Sequence, residues 1–352
     1  SALACLAKGW AGGMKAFCQG VEPGRGSLDW LELGSPESWE LNREWIEAAD
    51  FGGSEAPVFP FVLTGQRIDR KRYDHLNSYT GETGSDGVVR VAAANLNTRY
   101  LCLRQEESSA EGGSGFVDLV PDSEAGGSSQ EVPFALVRGR SHSGERMGIM
   151  RSVRADSTRH PTVSLLRQCL KVTDSVGYEK IAERFRKNNA RVTEVERVEK
   201  VRRLGPDAEY HHPPCAMVMF RLWDDRNYPL DDVRLLLTGE NHDEDLLPPG
   251  FFLDRQQNHR APNTLTYFLN YEALSQGTRL GLKIIPGQTE GFAHLVPGQV
   301  RATSAFRDLL VRPHQTTMVD IVLRRVVREG AFGFTRDLRA RSFKDRQPGG
   351  ML

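Results

Sequence analysis

The stretch Gly84-Ser85-Asp86-Gly87-Val88-Val89, taken with Ser141-His142-Ser143-Gly144, decides how this chain is read. The first sets an acid in a Gly-flanked turn that runs into an apolar segment. The second sets a His in a polar turn after the apolar run Val132-Pro133-Phe134-Ala135-Leu136-Val137. Acid first and His later, each in a loop at a strand end, is the back half of a Ser…Asp…His order. Gly84 and Gly87 let the backbone turn tightly and lift the Asp86 carboxylate to a sheet edge. Ser neighbours and Gly144 leave the His142 imidazole room at a cleft.

An ester-cleaving triad needs a hydroxyl over an oxyanion hole, a neutral imidazole to take its proton, and a buried carboxylate to fix the imidazole tautomer. Asp86 and His142 supply the last two. The competing reading is an ordinary Asp-Gly turn and a surface His, one of nine in the chain. A G-x-S-x-G nucleophile elbow is absent from the sequence. Ser1, Ser27 and Ser35 do not fit that pattern, and Ser141 and Ser143 adjoin the His in sequence. The nucleophile is therefore expected upstream of Ser1, in a longer protein.

At 352 residues the chain suggests two domains. It is 39% hydrophobic and 26% charged, enough apolar material for real cores. Lys plus Arg and Asp plus Glu both count 46, so net charge offers no argument for a nucleic-acid partner. No apolar run approaches the roughly 20 residues of a membrane span. Ser1 to Ala7 lacks the basic start of a signal peptide. The five Cys show no C-x-x-C and no zinc-like spacing. They read as free thiols in a reducing compartment, so the expected location is cytoplasmic, with a secreted effector as the alternative. The acids at Asp224-Asp225 and Asp231-Asp232 read as solvated turns in preference to a calcium site. No metal and no cofactor is expected.

Four of the five Trp, at 10, 30, 39 and 45, lie in the first 50 residues. Ser35 and Pro36 read as a cap and first turn for a helix over 38–49. Trp10, Met14, Phe17, Trp30 and Leu31 suggest a lid facing lipid, against packing under a sheet edge as the alternative. Strands are expected at 58–63, 88–93, 98–103 and 134–137, and a flexible Gly/Ser/Glu insertion at 105–130. Helices are expected at 162–170 and 177–203. His211-His212 before Pro213-Pro214 reads as a linker. After Gly205-Pro206 short strands follow at 216–223, 232–238, 265–270, 280–285, 298–303 and 318–326. In the first of these Val218, Phe220 and Leu222 lie on one side and Met217, Met219, Arg221 and Trp223 on the other. Short strands with regular turns suggest an all-β sandwich. Arg202-Arg203 and Arg324-Arg325 read as solvated faces.

Gly-Ser-Asp-Gly-Val-Val-Arg-Val, Gly34-Ser35-Pro36 and Phe61-Val62-Leu63-Thr64-Gly65 resemble the downstream part of bacterial lipases and esterases of the α/β-hydrolase fold. The resemblance covers about residues 25–150. The segment 216–325, with Pro249-Gly250-Phe251-Phe252-Leu253-Asp254-Arg255-Gln256, is similar to a β-sandwich appended to some of them. The implied fold class is a partial α/β-hydrolase sheet with helices over 1–205, a lid-like region at 1–50, a β-sandwich over 206–330 and a loose polar tail over 331–352. The implied function is a carboxylic-ester hydrolase, lipase- or phospholipase-like, with Asp86 as triad acid and His142 as base. A lipid or small ester is the expected substrate, peripheral membrane contact is an option, and no nucleic-acid partner is expected. The alternative is a catalytically inactive hydrolase-like binding or scaffold protein.

Overall fold

The computed structural model describes residues 29–47, 58–69, 82–106, 115–122, 126–127, 130–201, 208–287 and 293–327. Helix α1 (Pro36–Glu47) is followed by strand β1 (Val62–Thr64), the short helix α2 (Val91–Ala94), β2 (Arg99–Gln105), β3 (Val117–Pro121), β4 (Gly126–Gly127) and β5 (Phe134–Leu136). Then come α3 (Pro161–Cys169), α4 (Ser175–Glu196), β6 (Val198–Val201), β7 (Ala208–His211), β8 (Cys215–Asp224), β9 (Val233–Thr238), β10 (Phe252–Gln257) and β11 (Thr264–Asn270). The order closes with β12 (Leu280–Pro286), β13 (Ala293–Leu295), β14 (Gly298–Thr303), α5 (Ser304–Leu310), β15 (Thr316–Leu323) and β16 (Arg325–Val327).

Two layers matter for the site. In the first, β1 and β5 form a parallel pair with Val62 opposite Phe134 and Thr64 opposite Leu136. Helix α4 covers the pair, with Ile181 and Phe185 packed on Ala135 and Val137. Asn189 satisfies the free edge of β5: its Oδ1 accepts from the Leu136 N–H at 2.7 Å and its Nδ2 donates to the Phe134 carbonyl at 2.8 Å. A buried strand edge needs such partners.

The second is a mixed ten-stranded sheet in the order β10-β11-β8-β15-β2-β3-β14-β12-β9, with β4 beside β2. Its centre, β15, is buried along its whole length. The sheet curls so that its two ends share one core. Val218, Phe220 and Leu269 from one end pack in the same cluster as Leu235, Leu282 and Ile284 from the other. The Tyr267 hydroxyl on β11 donates to the Leu235 carbonyl on β9 at 3.0 Å. The opposite face of β8, with Met217 and Met219, packs with Trp39 of α1 and Ala92 of α2. Arg221 and Asp320 meet on this outer face at 2.8 Å, with Tyr100 and Trp223 also donating to Asp320.

These findings correct the expected architecture. No separate β-sandwich is shown: β2 and β3, from the N-terminal half, lie within the same continuous sheet. The cause is burial. Leu101, Leu103 and Leu119 complete the inner core, which strands after 205 alone would leave open. The expected boundary at 205 falls outside the described residues. Residues 88–93, expected as extended, end in helix α2, formed by Val91 and three Ala. The 105–130 insertion contains β3, with Val117 and Leu119 buried. The 177–203 helix stops at Glu196 and the chain continues as β6. Asp224 is fully buried: Oδ1 accepts from the Arg226 and Tyr228 N–H groups, and Oδ2 pairs with Arg325. Asp224 is therefore not the solvated group expected, whereas its partner Arg325 is exposed. Trp10, Met14 and Phe17 of the expected lid, and the 331–352 tail, lie outside the described residues. Trp30 and Leu31 are exposed, whereas Trp39 is buried under the sheet.

Candidate functional site

The acid turn is built by its own backbone. Gly84 and Gly87 take φ values of +75° and +101°, where a side chain would be strained. The turn closes with the Asp86 N–H donating to the Val89 carbonyl at 3.1 Å. Asp86 Oδ1 accepts from the Val88 and Val89 N–H groups at 3.0 and 2.8 Å. One carboxylate oxygen is thereby committed to the turn, and Oδ2 is left for another partner. Arg90 then fastens the turn to the outer face of the sheet. It donates to Glu82 at 3.0 Å and to Asp254 at 3.2 Å, and its guanidinium lies 4.1 Å from the Phe268 ring centre.

That other partner is His142. Its Nδ1 lies 3.1 Å from Asp86 Oδ2, and its backbone N–H donates to the Asp86 carbonyl at 2.8 Å. The structure thus brings the two sequence-predicted residues together. Asp86 is buried, while the imidazole is about half exposed. An ionised carboxylate can only accept, so Nδ1 carries the proton and neutral His142 presents an unprotonated Nε2. The Asp86 hydrogen bond raises the His142 pKa above its ordinary value; partial burial opposes this and the Asp86 charge adds to it.

The His loop follows the C-terminal end of β5 and is clamped from below. The Gly139 N–H donates to Glu196 Oε1 at 2.5 Å, and Gln66 Nε2 donates to Glu196 Oε2 at 3.1 Å. Arg67 neutralises the same carboxylate from 3.4 Å. Glu196, at the end of α4, therefore holds the loops leaving both parallel strands. Gly65 is required here: a Cβ would fall 2.0 Å from the Arg140 carbonyl oxygen. Arg67 also reaches Glu199, which pairs with buried His212 at 3.1 Å. His212 is thus a buried partner, not part of a loose linker. Its adjacency to Pro213-Pro214 hid this.

No hydroxyl bonds to His142 Nε2 among the described residues. The Ser141 hydroxyl donates to the Ser143 carbonyl at 2.8 Å. A Ser–His contact elsewhere, Ser152 Oγ to His160 Nε2 at 3.0 Å, has the wrong polarity for nucleophile activation. His160 Nδ1 accepts from the Thr162 N–H at the start of α3, so the proton of the neutral ring sits on Nε2. The Ser152 hydroxyl already donates to the Gly148 carbonyl. The cleft of about 470 Å³ lined by Phe116, Arg234, His242 and Lys283 includes neither Asp86 nor His142.

No protein-family model and no curated protein matches the chain. Solved structures do. Phospholipase PlaB from Legionella pneumophila is 37% identical over 99% of this chain and 73% of its own, with a TM-score of 0.81. The same phospholipase in complex with thio-NAD gives 36% identity over 94% and 70%, with a TM-score of 0.79. Identity of that order, sustained over most of both chains, places this protein in the family of the phospholipase PlaB.

Proposed function

We propose that Asp86 and His142 are the acid and base of a Ser-His-Asp triad in a carboxylic-ester hydrolase acting on phospholipid, with the Ser supplied from upstream of this chain. The observation that carries this is the 3.1 Å contact between Asp86 Oδ2 and His142 Nδ1, which leaves Nε2 without a hydroxyl partner among the described residues. Kinship with a phospholipase supports the substrate class.

In this reading His142 Nε2 takes the proton of the Ser hydroxyl as the oxygen attacks the ester carbonyl. Asp86 holds the productive tautomer and stabilises the imidazolium that forms. His142 then gives the proton to the departing alcohol. An acyl-enzyme remains, and His142 next activates water to release the acid.

A second reading is favoured for the chain taken by itself: a hydrolase-like scaffold with no turnover. It rests on the lack of a hydroxyl partner for Nε2 among the described residues. A fluorophosphonate probe separates the two, because labelling requires an activated Ser. The full-length protein should label at a Ser, and His142→Ala should abolish labelling. Absence of labelling in the folded full-length protein would leave the scaffold reading standing.

A further inference from the structure

Helix α3 has two apolar faces and buries one. Leu165 and Cys169 point into the core under β5, with Thr162 buried beside them. On the other side Leu166 is 42% exposed, and Leu170, four residues on, is 76% exposed. Val176 at the start of α4 is 59% exposed, and Met150 is 66% exposed. A surface helix ordinarily carries one apolar stripe.

This surface adjoins the His loop. The Ile149 N–H, next to Met150, donates to the Ser141 carbonyl at 2.8 Å, and the Ile149 carbonyl accepts from the Thr162 hydroxyl of α3 at 2.8 Å. Residues 138–171 carry eight basic side chains against two acids, in a chain with no net charge. The eight are Arg138, Arg140, Arg146, Arg151, Arg154, Arg159, Arg167 and Lys171, and all but Arg140 are exposed. None of the seven exposed ones pairs with an acid among the described residues. Exposed apolar groups set among unpaired cations match a surface that is anionic above and hydrocarbon below. Arg and Lys keep their charges with the head groups while Leu and Met enter the acyl boundary.

We propose that Met150, Leu166, Leu170 and Val176, rimmed by these basic residues, dock the protein on an anionic bilayer leaflet with His142 beside the contact. The proposal rests on the reading of the site as one that acts on phospholipid. The apolar members exclude a purely electrostatic polyanion partner, and the excess of cations disfavours a second copy of the same face.

The test uses the full-length protein and vesicles of ether-linked phosphatidylcholine, which an ester hydrolase cannot cleave, with and without phosphatidylglycerol. Co-sedimentation should rise about tenfold with phosphatidylglycerol and fall as salt screens the charges. Leu166→Ser with Leu170→Ser, and separately Arg151→Glu with Arg154→Glu, should each lower it about tenfold while turnover of a soluble short-chain ester is unchanged. Vesicle binding equal to the parent in both variants would overturn the proposal. So would loss of self-association, in place of lipid binding, when the leucines are replaced. Absence of soluble-ester turnover in the parent would instead count against the active-site reading, because vesicle binding is read without hydrolysis.

Discussion

Asp69 packs directly on the backbone of Gly144: a Cβ added there would lie 2.4 Å from Asp69 Oδ2. Gly144 also has φ +103°, two residues after His142. A side chain would have to strain the turn and displace a buried carboxylate together. Gly144→Ala should cost about 1–3 kcal/mol of stability. It should also lower ester turnover in the full-length protein, because a shift of about 1 Å at a catalytic group costs on the order of a hundredfold. Gly139→Ala is the control. Its φ is +69° but no atom of the described residues lies within 4 Å of a Cβ there, so only the backbone cost of about 1 kcal/mol is expected. Thermal midpoints and kcat/KM of the two variants check this.

The Asp86 hydrogen bond sets the acid limb of the rate profile. It raises the His142 pKa, so neutral base accumulates only as pH rises above the ordinary histidine value of about 6.5. Asp86→Asn removes the charge and the main cause of the shift, so the limb should move to lower pH. The plateau rate should also fall, because Asn can donate to Nδ1 and select the other tautomer. For folding the sign is the reverse of a buried acid's. His142 contributes stability below its unfolded pKa, and this is lost as pH rises through the folded value. A pH series of kcat/KM and of urea midpoints reads both.

Glu196 accepts hydrogen bonds at both carboxylate oxygens and is almost fully buried. Glu196→Gln keeps the shape but turns one acceptor into a donor and leaves Arg67 without this counter-charge. A loss of about 1–3 kcal/mol in urea denaturation is expected. Ester kcat/KM should fall with it, since the Gly139 end of the His loop is released.

Burial holds the His314 pKa down at about 4. Its Nδ1 has no hydrogen-bond partner among the described residues, and its backbone has φ +57°. Between about pH 6.5 and 4 the unfolded chain binds a proton here that the folded chain does not, so stability falls as pH falls through that window. The full effect is on the order of 3 kcal/mol. His314→Asn tolerates the left-handed backbone and removes the titration. Its acid-unfolding midpoint should shift to lower pH than the parent's.

Local chemistry made some of this legible. Asp86 was readable because a Gly-flanked acid before an apolar run fixes its own turn, and His142 because a polar turn follows a short apolar strand. The alternation of Val218, Phe220 and Leu222 with Met217, Met219, Arg221 and Trp223 marked a strand; the cover on both its faces, from the curled sheet and from α1, depends on tertiary packing. Pairing between distant segments was not legible. Strand β2 lies parallel to β15, with Leu101 opposite Val319. Nothing local to either segment names the other, so the sheet was read as a separate sandwich. Glu199 and Glu196 gave no sign that they meet His212 and Gly139. Those contacts depend on where α4 ends, and the sequence pattern ran that helix into β6.

The central claim is that Asp86 and His142 act as one acid–base unit, and turnover of a soluble short-chain ester by the full-length protein tests it most directly. His142→Ala should lower kcat by orders of magnitude at an unchanged thermal midpoint, and adding Asp86→Asn to it should lower kcat little further. Parental turnover in the folded His142→Ala variant would contradict the account.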